Sequence, residues 1–317
     1  MKFKTLYQEA VRIGIKNDLR GKNAVARILK ESKKNYETLP DEEKEYFDLE
    51  RLNNPYGDTR MLWGEEDVDV KNILIGIDME GGEILLADRL RGKGTKVDLV
   101  LAHHPEGRAL ANLSQVMEIH TDVLCNIGVS ESVAESLVSE RIAEVERRLM
   151  PVNHLRSVDF ARILDIPFMN IHTPADNCVN IYLDKMFKSK KPYLLKDVLD
   201  LLLKLKEYEQ AARVNAGPKI IIGDKKSKAG KILVDMTGGT EGSKEMFSNL
   251  AARGVSTIVC MHLSEEHFKK AKEARVNAVI AGHIASDTLG LNLLLDEVEQ
   301  KGKLKFIECS GFRRTRR

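Results

Sequence analysis

The sequence predicts an α/β protein built on mainly parallel sheets, and three observations lead there. Short unbroken apolar runs, "NILIGID", "VDLVLAHH", "PFMNIHT", "KILVDM", "STIVCM" and "NAVIAGH", alternate with longer amphipathic stretches. Strands that are apolar throughout are buried on both faces, which happens when crossover helices cover a parallel sheet. The alternation comes in two series, before and after the break at Gly217 and Pro218, so two similar lobes are expected. At 317 residues and 43% hydrophobic content the chain is long enough to bury a sizeable core.

In chain order, residues 1–66 read as a helical N-terminal extension. Phe3, Leu6, Tyr7, Ala10 and Ile13 recur at helical spacing, "NAVARILKES" repeats the pattern, and Pro40 opens an acidic first turn. "NNPYGDTRMLWG" interrupts the periodicity and suggests a boundary. Residues 67–187 form the first lobe: strand "NILIGID", helix "GEILLADRLRGKG" closed by glycine, strand "VDLVLAHH", a helical insertion over about 112–166, strand "PFMNIHT" and helix "NCVNIYLDKMF". Residues 188–218 are a helical connector. Residues 219–317 form the second lobe, with strands "KIIIG", "KILVDM", "STIVCM", "NAVIAGH" and "KLKFIEC" and helices from Ser243, over "SEEHFKKAKEA" and over "LGLNLLLDEVEQ".

Composition excludes several classes. Fifty Lys and Arg against 48 Asp and Glu offer no global attraction to nucleic acid or an anionic membrane. The basic "FRRTRR" at the end reads as a solvated tail. Cys125, Cys178, Cys260 and Cys309 lack CxxC spacing, which argues against a zinc ribbon and a disulfide scaffold and for reduced thiols. No window approaches 18 apolar residues and no apolar leader is present, so a soluble, cytoplasmic protein is expected.

In parallel α/β sheets the carboxyl ends of the strands form the functional edge. Three strands here end in metal-type ligands: His103 and His104, then His172 with Asp176, then His283 with Asp287. Each is ambiguous alone. An adjacent pair can be one strand-end histidine with an exposed neighbour, and His283 with Asp287 can be a helix start supported by its dipole. Both His103 and His104 reach one site only where the strand ends and turns, as Pro105 encourages. Coincidence at one edge favours five ligands, His103, His104, Asp176, His283 and Asp287, enough for two divalent ions sharing a carboxylate. Imidazole and carboxylate without thiolate suit Zn, Fe, Mn or Ni alike. His172 is a candidate acid or base.

Gly238, Gly239 and Gly242 lie between a strand and a helix with Ser243 as a possible N-cap, so their amides could cradle an anion. A plain tight turn is the competing reading, and Lys244 is not in a Walker frame.

The order of "HHP", "HTPAD", a glycine turn and "GHIASD" resembles the NIF3-like proteins, also known as GTP cyclohydrolase I type 2 homologues, over roughly residues 71 to 317. The resemblance implies two similar α/β lobes, ring-shaped homohexamers and a dinuclear metal centre on His103, His104, Asp176, His283 and Asp287, with Asp78 orienting its neighbours. It implies a metal-dependent hydrolase acting on a small molecule such as a nucleotide, by attack on the purine C8. Phosphates would meet the Gly238 to Ser243 turn.

Three departures stand out. Asp287 replaces the family's usual Glu, which requires its helix to sit closer to the metals. The 112–166 helical stretch is inserted, and "VCMHLSEEHF" stands where many members have a TGE-type motif, leaving His262 and His267 as supporting or structural groups. A non-catalytic metal-binding interaction or regulatory protein is the alternative. A DHH phosphoesterase is disfavoured by Ala102, where that class has Asp.

Overall fold

The computed structural model describes residues 1–317, and its strands and helices alternate as the apolar pattern requires. The chain opens with α1 (Phe3–Lys16), α2 (Lys22–Thr38), the short α3 (Asp41–Lys44) and strand β1 (Met61–Trp63). Then come β2 (Asn72–Gly76), α4 (Gly81–Gly92), β3 (Leu99–Ala102), α5 (Gly107–Ala111), α6 (Ile119–Asn126), α7 (Glu131–Leu149), α8 (Arg156–Ile163), β4 (Phe168–Asn170) and α9 (Thr173–Lys190). After α10 (Leu195–Leu202) and α11 (Lys206–Arg213) follow β5 (Lys219–Ile222), β6 (Lys231–Asp235), α12 (Met246–Ala252), β7 (Val255–Cys260), α13 (Glu265–Glu273) and β8 (Asn277–Ile280). The chain finishes with α14 (His283–Val298) and β9 (Lys305–Glu308).

The strands form two mainly parallel sheets, ordered β1-β4-β3-β2-β9 and β5-β8-β7-β6. Only β1 and β5, each on an edge, run antiparallel to their neighbours. Register places the functional edge. Gly76 pairs with Ala102 and Ala102 with Asn170, so the segments after β2, β3 and β4 leave the first sheet side by side. In the second sheet Asp235 pairs with Cys260 and Cys260 with Ile280. Asp235 closes β6, and the chain past the other strand ends carries His103 and His104, His172, His262 and His283.

Two helices join the sheets. α9 and α14 pack along each other, and a Cβ on Gly290 would lie 2.5 Å from the Ala175 carbonyl oxygen. Glycine there lets α14 approach α9 with backbone against backbone, bringing their first turns together. α9 also grips the second sheet, since Asn180 Oδ1 accepts from the Met236 amide at 2.8 Å and Asn177 Oδ1 from the Thr237 hydroxyl at 2.8 Å.

Three features depart from the sequence expectation. Residues 1–66 are no appendage: Phe3, Leu6, Ala10 and Ile13 are fully buried in one core with Ile73, Leu99, Ala175 and Leu291, and β1 belongs to the first sheet. A helix with one apolar stripe buries it somewhere, and here the stripe meets α9 and α14. Second, β9 does not stay with the later strands but pairs in parallel with β2. Third, the basic tail is tied down. Arg314, its side chain 3% exposed, pairs with Asp296 and Glu299, and Arg317 pairs with buried Glu207. The anticipated helix from Ser243 begins at Met246. All four cysteines are free, and no helix is long and apolar enough to cross a membrane.

Candidate metal centre

The end of β3 answers why two adjacent histidines can serve one site. The amides of His103 and His104 both donate to the Ile77 carbonyl, at 3.2 and 3.0 Å, so the regular ladder ends there and the backbone turns. Opposite-facing alternation stops with the ladder, and the two rings lie 5.4 Å apart between centroids. His172 caps α9, whose second residue is Pro174, a favoured place for a residue without an amide hydrogen. Asp176 follows one turn into α9, and His283 and Asp287 occupy the first two turns of α14.

These side chains converge with their bare atoms inward. His103 Nε2 is 3.4 Å from Asp176 Oδ1 and 3.5 Å from Asp287 Oδ1. The other Asp287 oxygen is 3.4 Å from His104 Nε2 and 3.5 Å from His283 Nε2, and those two nitrogens are 3.3 Å apart. Donor atoms held about 2.0–2.1 Å from a tetrahedral ion stand about 3.3 Å from one another. The spacing therefore suits metal coordination, with Asp287 turning one oxygen to each of two donor groups. Aspartate, although a methylene shorter than glutamate, spans both because Gly290 lets α14 lie close.

The outer nitrogens are also fixed. His103 Nδ1 donates to the Ile171 carbonyl at 2.9 Å, His104 Nδ1 to Asp78 at 2.6 Å, and His172 Nδ1 to Asp58 at 2.8 Å. Each of these bonds selects the tautomer whose Nε2 lone pair faces inward, the usual support behind metal-ligating histidine. A ring nitrogen of His172 lies within 4.8 Å of ring nitrogens of His103 and His104, and its Nε2 is 3.8 Å from Asp176, so it can hold an ion as well as move a proton.

Whether these residues suit a metal can be tested on their own hydrogen bonding. His103 Nε2, Asp176 Oδ1 and both oxygens of Asp287 are buried without a hydrogen-bond partner. Buried polar atoms are normally paired, and four orphans clustered this closely suit a divalent metal. The electrostatics agree. Burial works against a charge on His103, but Asp287 and Asp176 outweigh it and push the imidazole up to about 10. Burial likewise opposes ionisation of Asp287, yet His103, His104 and His283 hold its carboxyl far below the usual range. His283 is pushed down, chiefly by burial. Without a metal the cluster thus keeps a proton on His103, among the atoms that could hold an ion.

A cleft of about 60 Å³ borders the cluster, lined by His172, Asp176, Asp235, Glu241, His262 and His283 among others, and by no lysine or arginine. Three residues escaped the sequence reading, Asp235 and Glu241 in the cleft and Asp58 behind His172. Asp58 sits in the loop read as a boundary, without periodicity to mark it. Asp235 ends β6 and could have been found by the strand-end rule that selected His103. Glu241 accepts from His262 Nδ1 at 3.2 Å and from the Ser264 amide at 2.6 Å. His262 lies 4.8 Å, ring to ring, from His283 at the cleft wall, whereas His267 is buried and donates to the Gly242 carbonyl.

The glycine turn has a packing reason. A Cβ on Gly238, at φ +102°, would sit 2.5 Å from His120 Nε2; on Gly239 it would sit 2.7 Å from Val116, and on Gly242 3.2 Å from His120. The inserted helical stretch presses on this loop, and its carbonyls accept from His120, Arg141 and His267. Ser243 precedes α12 without capping it. Carbonyls and carboxylates are the wrong lining for a phosphate. Gly238→Ala is expected to cost about 1–3 kcal/mol in urea unfolding, since it adds a side chain at positive φ against a ring. An unchanged midpoint would show that the loop is free to shift.

Compared with known proteins, the sequence matches no family model and no curated protein. Among solved structures, the chain superposes on a NIF3 superfamily protein from Sphaerobacter thermophilus with a TM-score of 0.69 and 25% identity, over 90% of this chain and 98% of that one. Reduced HcgD from Methanocaldococcus jannaschii shares the fold, with a TM-score of 0.50 and 14% identity over 79% of this chain and 87% of that one. An overlap that takes in nearly the whole of the Sphaerobacter protein agrees with what the strand-end histidines suggested, and supports grouping this chain with the NIF3-like proteins.

Proposed function

We propose that the chain is a dinuclear metal-dependent hydrolase acting on a small nitrogenous substrate of the nucleotide type. The observation that carries this reading is Asp287, whose two unpartnered, buried oxygens each face a different histidine set. His103, Asp176 and Asp287 would hold one ion, and His104, His283 and Asp287 the other. Such ions, when bound, supply Lewis acidity and activate water.

The protein's own groups do the rest. His172 Nε2 accepts a proton at the cleft, and Asp58 steadies the resulting charge through Nδ1–H. Asp235 has its pKa raised, chiefly by burial, so it keeps a proton to higher pH than an ordinary carboxyl and can protonate a departing nitrogen. At about 60 Å³ the cleft is far smaller than the ~300–1,000 Å³ of a typical ligand pocket, so only the reacting end of a substrate enters. A ring carbon flanked by nitrogens, as at purine C8, suits a wall of carboxylates that accept N–H donors.

The test is metal content by elemental analysis, then incubation of the loaded chain with purine nucleotides, following imidazole-ring opening by ultraviolet absorbance. Turnover that falls about 10- to 100-fold in Asp58→Asn, with metal content unchanged, is the expected result. A loaded chain that opens no ring would remove the nucleotide-hydrolase reading and leave the metal centre standing.

A further inference from the structure

The cleft offers no cation to the anionic part of a substrate, but the opposite side of His283 does. A cavity of about 570 Å³ lies between α11, the first turns of α14 and the segment after β9, and His283 borders both spaces. Gln210, Val214, Ile284, Thr288 and Arg313 give it a mixed polar and apolar lining.

Three independent observations point to an anion there. Thr288 lines this cavity and is only 4% exposed, and its hydroxyl has no hydrogen-bond partner. It lies three and four residues beyond Ala285 and Ile284, hence on their face of the helix. The amides of Ile284 and Ala285 find no acceptor in the chain, as expected at the start of a 16-residue helix whose N-cap, Gly282, has no side chain to offer. Arg313 makes no ion pair and bonds only its neighbour's carbonyl, whereas Arg314, Arg316 and Arg317 are all paired with carboxylates. Glu207 also lines the cavity, but Arg317 and Asn292 hold its two oxygens at 2.6 and 2.9 Å.

We propose that this cavity is an oxyanion subsite that holds the carboxylate or phosphate end of the substrate. Arg313 supplies the charge, and the Thr288 hydroxyl and the α14 amides supply the directed donors. Val214 and Ile284 line the path of an apolar segment. The substrate class is then a small molecule with one oxyanion end and a hydrolysable nitrogenous end, reaching past His283 from the cavity to the cleft. The placement rests on the hydrolase reading, but the anion binding does not.

The experiment is calorimetric titration of the metal-loaded full-length chain with inorganic phosphate and, separately, with acetate. Saturable binding of either is expected, weakened about tenfold or more by Arg313→Ala and also by the near-isosteric Thr288→Val. It should persist after chelation of the metal. Which anion binds tells phosphate from carboxylate. No saturable binding, or binding equally tight in both variants, overturns the subsite. Anion binding that behaves as expected beside an inert metal centre would defeat the hydrolase reading alone.

Discussion

Asp287→Asn is expected to empty both halves of the metal centre, whereas Asp176→Asn empties one. Elemental analysis of the wild-type chain after metal repletion should give about two ions per chain, the number a shared carboxylate supports. Only Asp287 places one oxygen near His103 and the other near His104 and His283. The amide keeps the shape but loses the charge and one acceptor, so neither shell is completed. In the metal-free state the same substitution is expected to lower stability by about 3 kcal/mol, because it removes the main counter-charge of buried His103. An Asp287→Asn chain that still carried two ions would end the shared-carboxylate reading.

The second large effect is on pH. His103, pushed up to about 10 in the metal-free fold, must be neutral to bind a metal through Nε2, so the ion it holds displaces its proton when taken up at neutral pH. Affinity should therefore rise about tenfold per pH unit between about 6.5 and 10. Competition against a chelator checks this, and an affinity flat with pH would overturn it. The stability of the metal-free chain runs the other way. A pKa raised on folding contributes stability fully below the unfolded value of about 6.5, and that contribution is lost as pH rises through about 10. The metal-free chain should weaken across this window and the loaded chain should not.

What could be read in the sequence was what repeats or punctuates it. Apolar runs ending in histidine located the functional edge because a strand's burial and its end are both local properties. His103, His104, His172, Asp176, His283 and Asp287 meet in the fold. Long-range partners could not be read. Asp58 supports His172 from 114 residues away, in a loop with no period. Arg314 looks the same in sequence whether solvated or paired, because its partners Asp296 and Glu299 stand out only once α14 has turned back on the tail. The stripe on α1 announced burial without naming its partner. Gly238 read as a turn or an anion cradle, and the reason it must be glycine, His120, comes from an inserted helix 118 residues earlier.

The return of β9 to the first sheet has a consequence for synthesis. β2 is buried along most of its length and is flanked by β3 on one side and by β9 on the other. Until residues 305–308 have left the ribosome, β2 is an open, apolar edge, free to pair with any extended chain it meets. The nascent protein therefore carries an aggregation hazard from the time β2 and β3 pair until β9 arrives some 200 residues later. A chaperone that shields extended apolar segments would matter most in that interval.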